Sequence, residues 1–219
     1  MSTTKAFIFD LDGVIVDTAK YHYLAWKETA NKLSYDFSHS DNEKLKGISR
    51  VNSLDLILSW ADITLEQSKK DILLIEKNEI YLDYVAQLTT ADILPGVMEM
   101  FDRLDTLNIK IGLGSASKNA RPILSKLNIM NRFATIIDGT DITKSKPDPE
   151  VFAKGADDLG VDYASCLVLE DSQSGIEAAQ TIHMKTIAVG TAEELSNADY
   201  QYASLDLIDN QLLDTIITA

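Results

Sequence analysis

Short apolar runs alternate with stretches of helical period in the second part of the sequence, and this alternation strongly constrains the fold. Strands that alternate with helices indicate a parallel sheet joined by right-handed crossovers. The pattern therefore predicts an α/β fold in which helices cover both faces of a parallel sheet. The predicted strands are 109–114, 134–137, 165–169 and 185–189, and the predicted helices are 97–107, 119–127, 149–159 and 174–182.

A fifth predicted strand stands apart, at 5–10, where the apolar run Ala6 to Phe9 is bounded by polar residues and then by Gly13. A run of this kind is typical of a strand buried on both faces. Between it and the turn at Pro95-Gly96, the sequence contains no further strand candidate. Helices are predicted there at 18–33, in a short segment ending near 46, at 51–60 after the N-cap Ser49, and at 64–88 after a capping box at Thr64–Gln67.

The all-helical block is therefore predicted to be a domain inserted into the α/β core. The predicted boundaries are 1–16 and 92–219 for the core and 17–91 for the helical cap domain. Two linkers join the parts and form a candidate hinge, and a helical domain inserted after the first strand is a candidate lid.

Composition excludes several classes of function. The net charge of the 219-residue chain is −14, which argues against nucleic acid and anionic membranes as partners. No apolar run approaches the length of a membrane-spanning helix, and no cleavable signal pattern is present. Cys166 is the single cysteine, so no internal disulfide can form. We expect a cytoplasmic monomer that acts on small molecules.

Two carboxylates follow the first strand, at Asp10 and Asp12. Residues two apart on a strand share a face, so both acids can flank one reacting centre. In open α/β sheets, ligands bind outside the carboxyl ends of the strands. One acid could act as a nucleophile while the other carries a proton. An isolated D-x-D is nevertheless more often a solvated loop or a helix N-cap, and an EF-hand is excluded because the twelfth loop position is Tyr21.

The later strands also end in polar residues. Ser115 and Ser117 follow the second strand and can offer hydroxyl and backbone N–H groups to a phosphate, although Ser117 alone favours an ordinary N-cap. Lys146 lies beside Pro147 in a stiffened loop and is a candidate countercharge; the alternative is a solvated surface lysine.

Adjacent acids, Glu170 and Asp171, follow the fourth strand. Together with Asp10 they form an all-oxygen set that suits Mg²⁺, with an acidic helix N-terminus as the alternative. Cys166 is predicted to lie in the core. His39 and His183 have surface-like surroundings, and His22, one helical turn beyond Thr18, remains open.

D-x-D-G, Ser, Lys-Pro and Glu-Asp at successive strand ends resemble the haloacid dehalogenase superfamily of phosphotransferases, which has a Rossmann-like core and a helical cap. Asp12 speaks against the dehalogenases, which lack this second acid. The match narrows to the family of β-phosphoglucomutases. Four segments carry this closer resemblance, namely Asp10-Leu-Asp12-Gly-Val-x-x-Asp17-Thr18-Ala-x-Tyr21-His22, Leu45-Lys46-Gly47-Ile48-Ser49-Arg50-x-x-Ser53, Gly114-Ser115-Ala-Ser117-Lys118-Asn119 and Glu170-Asp171-Ser172-Gln173.

The resemblance implies a role for each matching residue. Asp10 would be the nucleophile and Asp12 the general acid and base. One Mg²⁺ per chain would be held by Asp10, Glu170, Asp171 and the backbone carbonyl of Asp12. The phosphate-binding residues would be Ser115, Ala116, Lys146 and Arg50, and the residues that contact the sugar or adjust the cap would be Lys46, Gly47, Ser53, Thr18, His22, Trp26, Lys77, Ser117 and Asn119.

The implied reaction interconverts β-D-glucose 1-phosphate and D-glucose 6-phosphate through an aspartyl phosphate and β-glucose 1,6-bisphosphate. The first alternative is a sugar-phosphate phosphatase of the same superfamily, in which water attacks the aspartyl phosphate. A phosphosugar-binding protein with an inactive site is the alternative from another class. Every expected catalytic position is filled, which disfavours that third reading.

Overall fold

The computed structural model describes residues 3–45, 48–191 and 195–218. The chain divides into two compact units, an α/β unit of 1–17 and 89–219 and a helical unit of 18–88. The second boundary between the units lies at 88/89, three residues before the predicted 91/92. Thr89 to Asp92 form a capped 3₁₀ turn, and Ile93 makes a β-bridge with Val16, so this segment belongs with the α/β unit.

A sheet of six parallel strands in the order β3-β2-β1-β4-β5-β6 forms the centre of the α/β unit. This confirms the predicted fold class. Strand β6 was not predicted, because Tyr200-Gln201-Tyr202 lies partly exposed at the edge of the sheet and contains no apolar run. The strands are β1 (Ala6–Phe9), β2 (Lys110–Gly114), β3 (Thr135–Ile137), β4 (Cys166–Glu170), β5 (Lys185–Val189) and β6 (Tyr200–Tyr202).

Helices cover both faces of the sheet because its central strand is apolar on both sides. Ile8 packs in a buried cluster with Phe152 from the helix Glu150–Leu159. Phe9, on the other face, makes an edge contact with Phe101 from the helix Val97–Thr106, at 5.0 Å between ring centroids. Burial of each such side chain contributes about 1.5–3 kcal/mol. The helices of this unit are α5 (Val97–Thr106), α6 (Ala120–Lys126), α7 (Glu150–Leu159), α8 (Gln173–Thr181) and the unpredicted α9 (Asn210–Thr218).

The helical unit contains the helices α1 (Ala19–Lys32), α2 (His39–Glu43), α3 (Arg50–Trp60) and α4 (Gln67–Val85), and its described residues include no strand. Trp26, Phe37 and Leu54 are buried in its core. Ser49 caps α3 as predicted, its hydroxyl accepting a hydrogen bond from the amide of Asn52.

The predicted capping box at Thr64 is wrong. Helix α4 begins at Gln67, and its N-cap is Glu66, whose side chain makes no capping hydrogen bond. Ile63 and Leu65 both pack against the core of the helical unit. Their spacing of two suits extended backbone rather than a helical turn, so core packing delays the start of the helix.

None of the helices in the described parts of the chain combines the length and the apolar character needed to span a bilayer.

Candidate active site

The strand register brings two distant acids to the same row of the sheet. Phe9 in β1 is paired with Leu169 in β4, so the residues that follow, Asp10 and Glu170, lie side by side at the carboxyl edge. The amide of Asp10 continues the ladder and donates to the carbonyl of Leu169 at 2.9 Å. Both side chains are buried, which excludes the solvated-loop alternative for this part of the D-x-D motif.

The chain turns sharply directly after Asp10. Gly13 has φ +81°, a conformation that L side chains rarely adopt, and its amide donates to the carbonyl of Val16 at 2.8 Å. A Cβ built on Gly13 would lie 2.2 Å from Oδ2 of Asp171, so the glycine also leaves space for that carboxylate. Asp12 lies within this turn and is partly exposed.

Lys146 reaches both acids of the row from the loop between β3 and α7. Its Nζ lies 2.5 Å from Oδ1 of Asp10 and 2.7 Å from Oε2 of Glu170. The lysine side chain is only 1% exposed, so it is not the solvated surface lysine of the alternative interpretation. The ammonium also lies 4.7 Å from the centre of the Phe152 ring. It therefore forms a fixed positive charge between two carboxylates.

The carboxylate of Glu170 is held on its other side by Ser172. Oε1 of Glu170 accepts hydrogen bonds from the amide of Ser172 at 3.0 Å and from its hydroxyl at 2.6 Å. The same hydroxyl accepts from the amide of Gly175 and thereby caps α8. Glu170 is the last residue of β4 and is buried, and Ser172 rather than either acid is the N-cap of α8, which disfavours the alternative of an acidic helix N-terminus.

The excess of negative charge in this buried cluster shifts the pKa values of its members. Burial raises the pKa of Asp10 to about 7 against the opposing charge of Lys146, and Glu170 and Asp12 add to the rise. Burial also disfavours the ammonium of Lys146, but the carboxylates of Asp10 and Glu170 outweigh it and raise the pKa of the lysine above its ordinary value. A further cation would relieve the crowding of the acids.

The donor set fits a magnesium ion. Asp10, Glu170 and Asp171 each present a carboxylate oxygen, and these oxygens all lie within 4.8 Å of one another. Opposite ligands of an octahedral Mg²⁺ are about 4 Å apart, so small side-chain movements would suffice. All three donors are hard oxygen atoms, which suit Mg²⁺ better than zinc. The fit supports the predicted metal role of these residues, which remains a proposal.

The loop after β2 is ordered by successive side-chain to backbone hydrogen bonds. Ser115 is buried, and its Oγ accepts from the amide of Ser117 at 3.1 Å. Oγ of Ser117 accepts in turn from the amide of Asn119 at 3.2 Å. Asn119, rather than Ser117, is the N-cap of α6. The partly exposed Ala116 lies between the two serines. The loop thus presents hydroxyl groups, as the phosphate-binding hypothesis requires.

Several predicted cap residues meet inside the helical unit. Nζ of the buried Lys77 lies 2.9 Å from Nδ1 of His22 and 4.8 Å from the ring centre of Trp26. Burial lowers the pKa of His22 well below its ordinary value, and the charges of Lys77 and Arg50 add to this. The imidazole is therefore neutral at pH 7 and can accept a hydrogen bond from the ammonium.

The other predicted cap residues are spread through the same unit. Nη1 of the partly buried Arg50 donates to the carbonyl of Leu74 at 3.3 Å. Ser53 is buried on α3, and the buried Thr18 precedes α1 as its N-cap. Lys46 and Gly47 lie outside the described residues. The substrate-binding roles of all these residues stay predictions.

Ser172, which bonds to Glu170, and Glu150, which bonds to the loop that carries Lys146, are not among the predicted site residues. Ser172 stands directly after the paired acids, and the spacing Ser-x-x-Gly up to Gly175 is a signal for the N-cap that it forms. Glu150 follows Pro149 and has no comparable signal, because its partners are backbone amides of the preceding loop.

Comparison with known proteins identifies the class to which the chain and its fold belong. The family model of the haloacid dehalogenase-like hydrolases matches residues 7–189. The chain belongs to the haloacid dehalogenase-like hydrolase family. This agrees with the resemblance drawn from the four strand-end motifs.

Within this family, the chain is similar to proteins that act on sugar phosphates. The chain is 43% identical over 197 residues to the β-phosphoglucomutase of Bacillus subtilis, a match that covers 89% of this chain and 87% of the relative. A crystal structure of β-phosphoglucomutase from Clostridium difficile superposes with a TM-score of 0.94 at 39% identity, over 98% of this chain and 97% of that one. A fructose-1-phosphate phosphatase of Escherichia coli is 30% identical over 83% of this chain and 94% of its own length.

Proposed function

We propose that this protein is a phosphotransferase that interconverts β-D-glucose 1-phosphate and D-glucose 6-phosphate. The observation that carries the proposal is the 43% identity to a β-phosphoglucomutase over 89% of the chain, which is more of the chain than the α/β unit alone contains. The helical unit, which carries the predicted sugar-contacting residues, is therefore part of the match. The buried cluster of Asp10, Lys146 and Glu170 supports a site for phosphoryl transfer.

Asp10 is the nucleophile in this proposal. A carboxylate oxygen of Asp10 attacks the phosphorus of β-glucose 1,6-bisphosphate, the bond from phosphorus to the sugar oxygen breaks, and an aspartyl phosphate forms. Lys146 binds oxygens of the transferring group, and Ser115 donates its hydroxyl to them. Positioning and charge neutralisation of this kind account for most of phosphoryl-transfer catalysis.

Asp12 handles the proton. It gives its proton to the departing sugar oxygen in the first half-reaction. When the 6-hydroxyl of β-D-glucose 1-phosphate then attacks the aspartyl phosphate, Asp12 takes the proton of that hydroxyl, β-glucose 1,6-bisphosphate re-forms and Asp10 is released. The bisphosphate turns over before its 1-phosphoryl group is transferred to Asp10, which yields D-glucose 6-phosphate. Its partly exposed position, beside the buried Asp10, is consistent with separate roles for the two acids.

Asp10, Glu170, Asp171 and the Asp12 carbonyl would hold one Mg²⁺, which would neutralise charge on the phosphoryl oxygens. In the cap, Arg50 would bind the second phosphate, for which a guanidinium fork is well suited. Lys46, Gly47 and Ser53 would contact the sugar phosphate, and Thr18, His22 and Lys77 would adjust Asp12 and the hinge.

Phosphorus NMR of the purified protein with Mg²⁺ and β-glucose 1-phosphate tests the proposal. We expect the 6-phosphate signal to grow as the 1-phosphate signal falls, with a transient bisphosphate and little inorganic phosphate. Asp10→Asn should abolish turnover, whereas Asp105→Asn, which changes an exposed acid paired with Arg132, should leave it unchanged. Turnover that survives Asp10→Asn would contradict the assignment of the nucleophile.

A sugar-phosphate phosphatase is the second candidate, favoured by the 30% identity to a fructose-1-phosphate phosphatase. In that reaction, water replaces the sugar hydroxyl as the attacking group. The same NMR experiment separates the two candidates. Stoichiometric release of inorganic phosphate without isomerisation would favour the phosphatase.

A further inference from the structure

The position of Lys146 depends on the loop that carries it. The segment runs from the end of β3 to the start of α7, and its lysine must reach Asp10 and Glu170 at the same time. A lysine side chain has four rotatable bonds and loses rotamer entropy when it is fixed. Holding the ammonium in one place therefore requires a loop whose backbone is itself fixed.

Glu150, the first residue of α7, bonds back to this loop. Its Oε2 accepts hydrogen bonds from the amide of Thr143 at 3.0 Å, from the Thr143 hydroxyl at 3.0 Å and from the amide of Lys144 at 2.8 Å. These three donors lie two and three residues before Lys146, and Glu150 comes four residues after it, directly after Pro149. One carboxylate thus closes the loop around Lys146.

Lys154 adds a second tie from the same helix. Its ammonium lies 2.8 Å from Oε1 of Glu150 and donates to the carbonyl of Asp141 at 2.6 Å. The bond from Lys154 and those from the Lys144 and Thr143 amides hold the pKa of Glu150 at about 2. Glu150 is therefore ionised at neutral pH, and its hydrogen bonds to the loop are charge-assisted.

An acid in the first turn of a helix commonly serves only to stabilise the helix terminus. Glu150 differs, because its Oε2 accepts from amides of residues six and seven positions before it, outside the helix. We propose that Glu150 is a positioning residue for Lys146, fixing the loop from which the ammonium reaches Asp10 and Glu170. The inference rests on the proposed function, in which Lys146 binds the transferring phosphoryl group.

Two measurements report the position of Lys146 without any turnover. Pulsed acetylation followed by peptide mass spectrometry gives the labelling of Lys146 relative to the exposed Lys126. Hydrogen exchange gives the protection of the Thr143 and Lys144 amides. In Glu150→Ala, loss of the charge-assisted bonds should raise both the labelling ratio and the exchange rates by about tenfold. Glu150→Gln, which keeps one acceptor oxygen, should give a smaller rise.

The matched control is Glu177→Gln, since Glu177 also accepts a side-chain hydrogen bond but within its own helix, from Gln173 at 3.0 Å. It should change neither readout. Unchanged labelling and exchange in Glu150→Ala would overturn the proposal. Faster exchange of the β1 amides in Glu150→Ala would mean that this variant unfolds beyond the loop, and Glu150→Gln then provides the test. In Glu150→Gln, faster exchange and labelling confined to residues 143–146 would support the proposal, and unchanged exchange and labelling there would overturn it.

Steady-state kinetics give a further measurement, the separate changes in kcat and KM, which a purely structural role of Glu150 would not alter. At equal folded concentration, Glu150→Ala should lower kcat about tenfold while KM stays within about twofold, because Lys146 acts on the transferring group. An unchanged kcat would overturn the positioning role. If the wild type does not isomerise the sugar phosphate, the proposed function fails, and the labelling and exchange still decide whether Glu150 positions Lys146.

Discussion

The carboxylate of Glu170 occupies the space that a side chain at Gly175 would need. A Cβ built on Gly175 would lie 2.1 Å from Cδ of Glu170. Glu170 cannot move aside freely, because Ser172 holds one of its oxygens and Lys146 the other. The glycine in the first turn of α8 is therefore a condition for the position of a proposed metal ligand.

Gly175→Ala should weaken Mg²⁺ binding by at least about tenfold, since displacement of a ligand or of its hydrogen-bonding partners typically costs that much. Isothermal titration calorimetry measures the effect. Gly155→Ala is the matched control: it is also a helical glycine, but its Cβ would meet only ordinary contacts, the nearest at 3.4 Å from Ile8. Both changes gain helix propensity, so equal Mg²⁺ affinities would contradict the steric explanation.

Lys146→Met should destabilise the metal-free protein by about 3 kcal/mol, because it leaves buried carboxylates without their cation. Saturating Mg²⁺ should recover part of that loss. Urea unfolding in EDTA and in Mg²⁺ measures both effects. Lys144→Met is the control, since this lysine side chain is 70% exposed and should contribute less than about 0.5 kcal/mol. A metal-free Lys146→Met protein as stable as the wild type would contradict the prediction.

The affinity for Mg²⁺ should rise with pH up to about 7. The raised pKa of Asp10, about 7, means that this carboxyl is protonated below that pH in the metal-free protein. The ion must then displace a proton, so the apparent Kd should fall by up to about tenfold per pH unit between pH 5 and 7 and level off above. Calorimetry across that range tests this, and Asp10→Asn should show a flatter dependence. A constant wild-type Kd would disprove the coupling.

Cys166 should be inert in the folded protein. Burial, with a further contribution from Asp162, raises the pKa of its thiol to about 12, and the thiolate is the reactive species. We expect reaction with a disulfide reagent at pH 8 to be at least about 100-fold slower in the native protein than in urea. Cys166→Ser provides the blank. Rapid native labelling would show that the strand β4 opens locally.

Much of the α/β unit could be predicted from sequence, because each of its longer elements has a clear period and polar residues at its end. The predicted ends of the five strands β1 to β5 agree with the structure within one residue, whereas Tyr200–Tyr202, a partly exposed edge strand, has no apolar run to signal it. The capping box at Thr64 failed because core packing of Ile63 and Leu65 overrides a local capping signal. A sequence pattern predicts an element well where the apolar residues alone specify it, and it fails where core packing favours another local conformation.

The sequence by itself determined which residue types stand at the ends of the strands, and hence that acids, serines and a lysine would gather at one edge of a parallel sheet. Only the tertiary structure decided that Asp10 and Glu170 share a row and that Lys146, 136 positions from Asp10, lies between them. Strand register and loop closure depend on packing between distant segments. Local patterns determine neither, and this is why the close approach of Glu170 to Gly175 and the bonds from Glu150 to the loop of Lys146 emerged only from the folded chain.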